Sequence, residues 1–430
     1  MKELSCGIVL LLAIGPALAA VPARRPVLMT FWADQAPPRF AFPVPGSLDA
    51  SGTMERNAAF RDDLNDVDVL AYAFLEVDAA GNVYFRDPAV DLSAQDRVGF
   101  CAQHPAACPG DVRTGEGSFD AFARLQSQTG TLRKIISVGG AHSQRTLDNA
   151  LAHPTHFVRS VTALVSAYRL NGVDLDFEPN SFFLGDQGRQ LVALTDALRR
   201  ALGPTAFLSI ELPTDWETLQ SIDCRGIGEC DHAVTALARV AYLSLMGYAV
   251  HAPSYWGPAV TANDSNLFSD PNEPLLAGFD HVSDVQAIDY LTFLGVPPNR
   301  LLLGFPAFTE RYAGVNHPGT RHGLFQPFRR SNRRNQAGGT YRDVPQLLES
   351  GFRLHYVWAD HVISAAFAYD RRTGQWISFE DPASVAAKAR YVRSHDLGGM
   401  AMWQIGGDLP TSSGGSLLAA AYRILNADPR

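Results

Sequence analysis

Short apolar runs recur along the chain, and the segments between them carry apolar residues at helical spacing. Eight runs stand out, at residues 27–32, 67–74, 134–140, 172–178, 207–211, 242–248, 301–305 and 399–403. Between the third and fourth, Phe157, Val161, Leu164, Val165 and Tyr168 fall at i, i+4, i+7, i+8 and i+11, which predicts an amphipathic helix ending before Asn171-Gly172. Strands alternating with helices predict βα units and a parallel sheet. Eight such strands point to an α/β fold of the (β/α)8 TIM barrel type. No G-x-G-x-x-G follows an early run, which disfavours a dinucleotide-binding open sheet. The gap between the seventh and eighth runs is too long for one helical crossover. Residues 307–378 contain extended pieces at 354–358 and 365–369 and read as a small α+β insertion on the active face, before a helix over 384–393.

The fourth run carries the chemistry. From Asn171 to Glu178 three carboxylates, Asp174, Asp176 and Glu178, alternate with Val173, Leu175 and Phe177. In a strand, all three acids lie on one face and the apolar residues on the other. Like charges on an inward face cost stability and raise one another's pKa, so the array is suited to holding a carboxylic acid protonated near neutral pH. A solvated polar strand face does not fit, because the run is bounded by apolar helices and glycines. A calcium loop does not fit either, because Leu175 and Phe177 intervene where polar residues are needed, and Pro179 follows. Metal-dependent transfer on a D-x-D pair is disfavoured for the same reason. The twelve histidines are scattered, so neither a metal nor a cofactor is expected.

Composition narrows the class. The chain has 430 residues, 46% hydrophobic and 19% charged, enough to bury a large core. A formal net charge of -8 gives no reason to expect nucleic acid or an anionic membrane as partner. Residues 1–20 run from Lys2 through an apolar stretch to Ala17-Leu18-Ala19 and read as a secretory signal peptide, leaving 21–430 as the catalytic domain of a secreted, extracellular or periplasmic, monomer. The exported part keeps Cys101, Cys108, Cys224 and Cys230, whose simplest pairing is two short-range disulfides, Cys101 to Cys108 and Cys224 to Cys230. A four-cysteine zinc site is the alternative, which the absence of close C-x-x-C spacing disfavours.

Asn171 to Glu178 resembles the D-G-x-D-x-D-x-E signature of glycoside hydrolase family 18, the chitinase family. Four further stretches resemble family motifs in the same order: Lys134 to Gly140 the S-x-G-G strand, Met246-Gly247-Tyr248 the M-x-Y motif, Leu301 to Pro306 the seventh strand, and Gly398 to Trp403 the last strand with its terminal tryptophan. The resemblance covers roughly residues 26 to 425. It implies hydrolysis of β-1,4 links between N-acetylglucosamine units of chitin or chito-oligosaccharides by a retaining, substrate-assisted mechanism, in which the sugar's acetamido oxygen attacks the anomeric carbon. Glu178 would be the acid and then the base, Asp176 would hold the acetamido N–H, and Asp174 would support Asp176 with Ser137 as partner. Tyr248 would donate to the acetamido carbonyl, and Trp403 would form the floor under the sugar. Gly139 and Gly140 end the third strand. Met246, Phe31 and Phe74 are candidates for the pocket wall, and Trp32, Tyr255 and Trp256 for more distant sugar contacts.

Two departures from the family pattern matter. Asn171 replaces its first Asp, remote from the reacting end. Ala249 stands where the family usually has an Asp after the tyrosine. Glu211, sharing strand parity with Ser209, is expected to point into the barrel and partly replace that acid. The resemblance also leaves two other functions open: a non-catalytic lectin for chitin oligosaccharides, or an endo-β-N-acetylglucosaminidase acting on N-glycans.

Overall fold

The computed structural model describes residues 25–33, 63–86, 88–92, 118–127, 129–180, 182–224, 230–252, 260–274, 282–329 and 338–427. β1 (Val27–Ala33), β2 (Val69–Val77) and its hairpin partner β3 (Val83–Phe85) come first, followed by β4 (Arg133–Gly140), β5 (Gly172–Phe177), β6 (Phe207–Leu212) and β7 (Tyr242–Leu245). β8 (Leu301–Pro306) precedes β9 (Thr309–Tyr312), β10 (Arg353–Ala359), β11 (Val362–Asp370) and β12 (Gln375–Phe379), and β13 (Gly399–Trp403) ends the series. The parallel strands stand in the order β1-β13-β8-β7-β6-β5-β4-β2, and β1 pairs again with β2, so the sheet closes on itself. This is the (β/α)8 barrel expected from the eight apolar runs.

Strand parity sorts the side chains into two cores. Val27, Met29, Phe31, Val69, Ala71, Ile135, Phe207, Tyr242, Leu302 and Ala401 fill the barrel interior. Their neighbours one residue along, among them Leu28, Leu70, Ile136, Val173, Leu208, Leu243, Leu301 and Met400, face outward into a larger core shared with the helices. The helix Pro154–Ala167, for example, buries Phe157 and Val161. Residues on both strand faces are therefore apolar, as an all-parallel sheet covered by helices requires.

Two strand boundaries and one side chain depart from the sequence reading. β2 continues to Val77 because Leu75, Glu76 and Val77 pair with β3. β7 stops at Leu245 although the apolar run continues to Tyr248. Beyond Leu245 the backbone bonds become local, Gly247 N–H to Leu245 O and Tyr248 N–H to Met246 O, each at 2.8 Å. Gly247 is wedged there: a Cβ would lie 2.2 Å from Asp284 Oδ1 and 2.7 Å from Gly304 O. Trp32, a candidate for distant sugar contacts, is instead 3% exposed in the outer core, where it packs against Tyr72 and Phe122. Its strand parity is opposite to that of Phe31.

Between β8 and β13 lies the insertion, a four-stranded antiparallel sheet in the order β10-β11-β12-β9 with the short helix Val344–Ser350. Tyr312, Phe367, Tyr369 and Trp376 form a core of its own. Cys224 and Cys230 are disulfide-bonded. Cys101, Cys108, Tyr255, Trp256 and the expected signal segment 1–20 lie outside the described residues. Among those described, no helix is long and apolar enough to cross a membrane.

Candidate active site

The site rises in layers up the barrel axis. Its base is apolar, closed by the stacked rings of Phe207 and Tyr242. One pleat higher, register sets Ser137 on β4, Asp174 on β5 and Ser209 on β6 side by side. Both hydroxyls donate to the carboxylate, Ser137 Oγ to Oδ2 at 2.7 Å and Ser209 Oγ to Oδ1 at 2.6 Å. Burial pushes Asp174 up to about 7, and the two hydroxyls hold that rise back.

The next layer is crowded with acid. Asp176 is 4% exposed, and its Oδ1 has no hydrogen-bond partner among the described residues. Burial raises its pKa well above the usual carboxylate range, and Glu178, Glu211 and Asp174 push it further. Glu211 is buried on β6, on the same inward face as Ser209, as expected from parity. Its pKa too is raised by burial, with Asp174 and Glu178 contributing. Glu178 follows the end of β5 and is only partly covered, yet burial of its carboxyl lifts it to about 7. These groups titrate together, so the protons belong to the cluster rather than to single residues.

Close packing of backbones makes this layer possible. Gly139, paired with Asp176, has φ 128°, and a Cβ there would stand 1.9 Å from Asp176 O. Gly140 admits the Phe74 ring in the same way. Phe74 stacks on Trp403 with centroids 5.2 Å apart and planes 12° from parallel, and Phe31 leans on the same indole at 5.2 Å. Trp403 and Phe74 remain partly exposed above the inner core, presenting an aromatic floor, while Phe31 is buried beneath.

Tyr248 stands in the loop after β7, half covered, with its ring edge-on to Phe308 at 5.8 Å. Burial raises its hydroxyl pKa, as do Glu211, Asp176, Glu178 and Asp174, which places the phenol among the acids. Met246, two residues earlier, is partly exposed. Thus Ser137, Gly139, Gly140, Asp174, Asp176, Glu178, Glu211, Tyr248, Phe74 and Trp403 converge at the carboxyl ends of the strands. Trp256 lies outside the described residues, and among those described no cluster of three or more His, Cys, Asp or Glu could hold a metal.

The sequence reading missed Ser209, Ser143 and Phe308. Ser209 was within reach, since its parity with Glu211 already points inward. Ser143 lies in a loop, where no periodicity fixes direction, yet its Oγ accepts the N–H of Glu178 at 2.8 Å and donates to Asp176 O at 3.2 Å. Chemically, the arrangement can present a protonated acid beside a second carboxyl group and a phenol, over an aromatic surface that suits the apolar face of a sugar.

Comparisons with known proteins agree with this geometry. The family model described as Glycosyl hydrolases family 18 matches residues 48–408. Chitinase 1 of Aphanocladium album is 22% identical over 378 residues, covering 84% of this chain and 80% of that one. Chitinase B of Serratia marcescens is 23% identical over 383 residues, covering 76% and 73%. The crystal structure of Ostrinia furnacalis Group IV chitinase in complex with allosamidin superimposes with a TM-score of 0.70 at 20% identity, covering 93% of this chain and 98% of that one, a likeness of fold.

Proposed function

The chain belongs to glycosyl hydrolase family 18, and from that footing we propose that it is a secreted glycosidase cleaving β-1,4 links between N-acetylglucosamine units of chitin or chito-oligosaccharides. The observation that carries the reading is Glu178, a carboxyl raised to about 7 at the mouth of a cluster of acids beside an aromatic floor. It enters the reaction protonated and gives its proton to the glycosidic oxygen as the bond to the anomeric carbon breaks. The substrate's own acetamido oxygen closes on that carbon from the opposite face, forming an oxazolinium ion. Asp176 holds the acetamido N–H and stabilises the positive charge, Tyr248 donates to the acetamido carbonyl, and Asp174 keeps Asp176 in place. Glu178, now a carboxylate, takes a proton from water, whose oxygen bonds to the anomeric carbon as the bond to the acetamido oxygen breaks, restoring the acetamido group and the acid form of Glu178 with net retention.

The crowding of Asp174, Asp176, Glu178 and Glu211 supports this assignment. Four fully ionised groups in adjoining layers of the barrel would repel strongly, so the cluster retains protons near neutrality. Glu211 supplies a further acid near Tyr248, whose hydroxyl pKa it raises. The named chitinases support the substrate class.

Product analysis on soluble chitin oligosaccharides, with the parent protein beside Glu178→Gln, tests the proposal. Shorter β-anomeric products from the parent, and at least about a thousandfold slower release from the variant, are expected. Binding without turnover by the parent would make the protein a lectin. Release of glycans from glycoproteins, without cleavage of chitin oligosaccharides, would make it an endo-β-N-acetylglucosaminidase.

A further inference from the structure

The backbone on both sides of Tyr248 is gripped by a segment outside every motif that marks the site. Ala249 has φ 59°, a left-handed conformation that a residue with a Cβ keeps only where its surroundings hold it. Its N–H donates to Asp264 Oδ2 at 2.9 Å, and the N–H of His251 donates to Asp264 Oδ1 at 3.2 Å. On the other side of the tyrosine, Ser265 Oγ donates to Gly247 O. Lys388 Nζ donates to that same Oγ at 2.8 Å and is itself paired with Asp284 Oδ2 at 2.6 Å and Glu380 Oε1 at 3.1 Å. Asp264 and Ser265 are 3% and 4% exposed, and the Asp264 N–H is tied to Ser378 Oγ on β12 at 2.9 Å.

We infer that Asp264 and Ser265 are positioning residues for Tyr248, fixing from behind the cleft where its hydroxyl stands. The two contacts flank the tyrosine at Gly247 and Ala249, so they set the direction of its Cα–Cβ bond. A small backbone rotation there sweeps the hydroxyl, at the far end of the ring, through a larger arc. Asp264, which burial pushes up to about 6, accepts both N–H groups, and above that pH its carboxylate is a stronger acceptor than a neutral oxygen. Ala249 brings only a methyl group and cannot anchor the turn itself. Because β12 belongs to the insertion and Asp264 is bonded to it, the insertion helps to hold the site.

This inference rests on the reading of Tyr248 as the donor to the substrate's acetamido group, and its test separates the two. Steady-state kinetics on a soluble chitin oligosaccharide should show kcat lowered about tenfold or more by Asp264→Ala, with KM changed by less than about threefold. In a Tyr248→Phe background the same change should cost less than about twofold, because the hydroxyl it positions is already gone. Ser265→Thr, which keeps a hydroxyl, should recover most of what Ser265→Ala loses. Crystal structures of Asp264→Ala and of Asp264→Asn, which keeps the size and one acceptor, should show the Tyr248 hydroxyl displaced by more than about 0.5 Å. An unmoved hydroxyl, or an equal loss in both backgrounds, overturns the positioning role. A parent protein that turns over no oligosaccharide, while Tyr248 still shifts in the variants, defeats the glycosidase reading and leaves the positioning role standing.

Discussion

The side chain of Ser143 fastens Glu178 to the end of β5: its Oγ accepts the Glu178 N–H at 2.8 Å and donates to Asp176 O at 3.2 Å. Glu178 lies just past the last ladder pair of the strand, Gly140 with Phe177, so this serine extends the order of the sheet by one residue. Ser143→Ala removes both contacts from a residue that is 7% exposed. The expected result is a fall in kcat of about tenfold with KM nearly unchanged, since the acid is misplaced while the aromatic floor stays intact. Steady-state kinetics on chitin oligosaccharides check it. A loss confined to KM would contradict it.

The protonation of Glu178 sets the alkaline side of the pH profile. Its pKa, raised by burial to about 7, keeps it in the acid form below that pH and strips the proton above it. The rate should therefore fall as pH rises through about 7, tenfold per unit once well above it. Measurements of kcat/KM across pH read this limb directly. Activity still rising above pH 8 would be incompatible with Glu178 as the acid in this environment.

Glu211 is expected to act on both activity and stability. It is a buried acid that shares a mutual repulsion with Glu178, the group that sets the alkaline limb. Glu211→Gln removes that repulsion, so the alkaline limb should move to lower pH, and an unmoved limb would deny it the compensating role. Stability has its own sign. The folded state binds a proton that the unfolded carboxylate releases at its ordinary, lower pKa, so this acid costs stability as pH rises through the folded value. The amide carries no such cost. Thermal melting should show the variant gaining over the parent at pH 8 and losing that gain toward pH 4.

Which features were legible in the chain follows from how each is specified. The acids on β5 and Glu211 on β6 could be placed because a period of two fixes which face a strand residue occupies. The same rule separates Phe31 inside the barrel from Trp32 outside it, and shows Trp32 to be a core residue. Loop contacts have no such period. Ser143 and Asp264 reach the site through turns whose course depends on packing, and nothing in their neighbours' polarity announces it. β7 misleads for a related reason: the apolar run continues through Met246 and Tyr248, while Gly247 is packed too closely against Asp284 and Gly304 for the ladder to continue. The two residues proposed to compensate for Ala249 differ in the same way: Glu211 lies on a strand and Asp264 does not.

Lys388 provides a last expectation, resting on burial and charge. The chain has three lysines against many arginines, and this one is 0% exposed between Asp284 and Glu380. Those carboxylates hold its pKa above the ordinary lysine value against the effect of burial. Lys388→Met keeps an unbranched chain of similar length and removes the charge, leaving two buried acids without their cation. Breaking one partner from such a group costs about 3–5 kcal/mol, far more than an exposed pair. The deficit should be largest at pH 8, where Asp284, which burial pushes up to about 7, is ionised, and should narrow toward pH 5, where Asp284 is protonated. Urea unfolding at the two pH values measures the difference. A deficit that is the same at both would show that the lysine's contribution is packing, and that the ionised acids are tolerated without it.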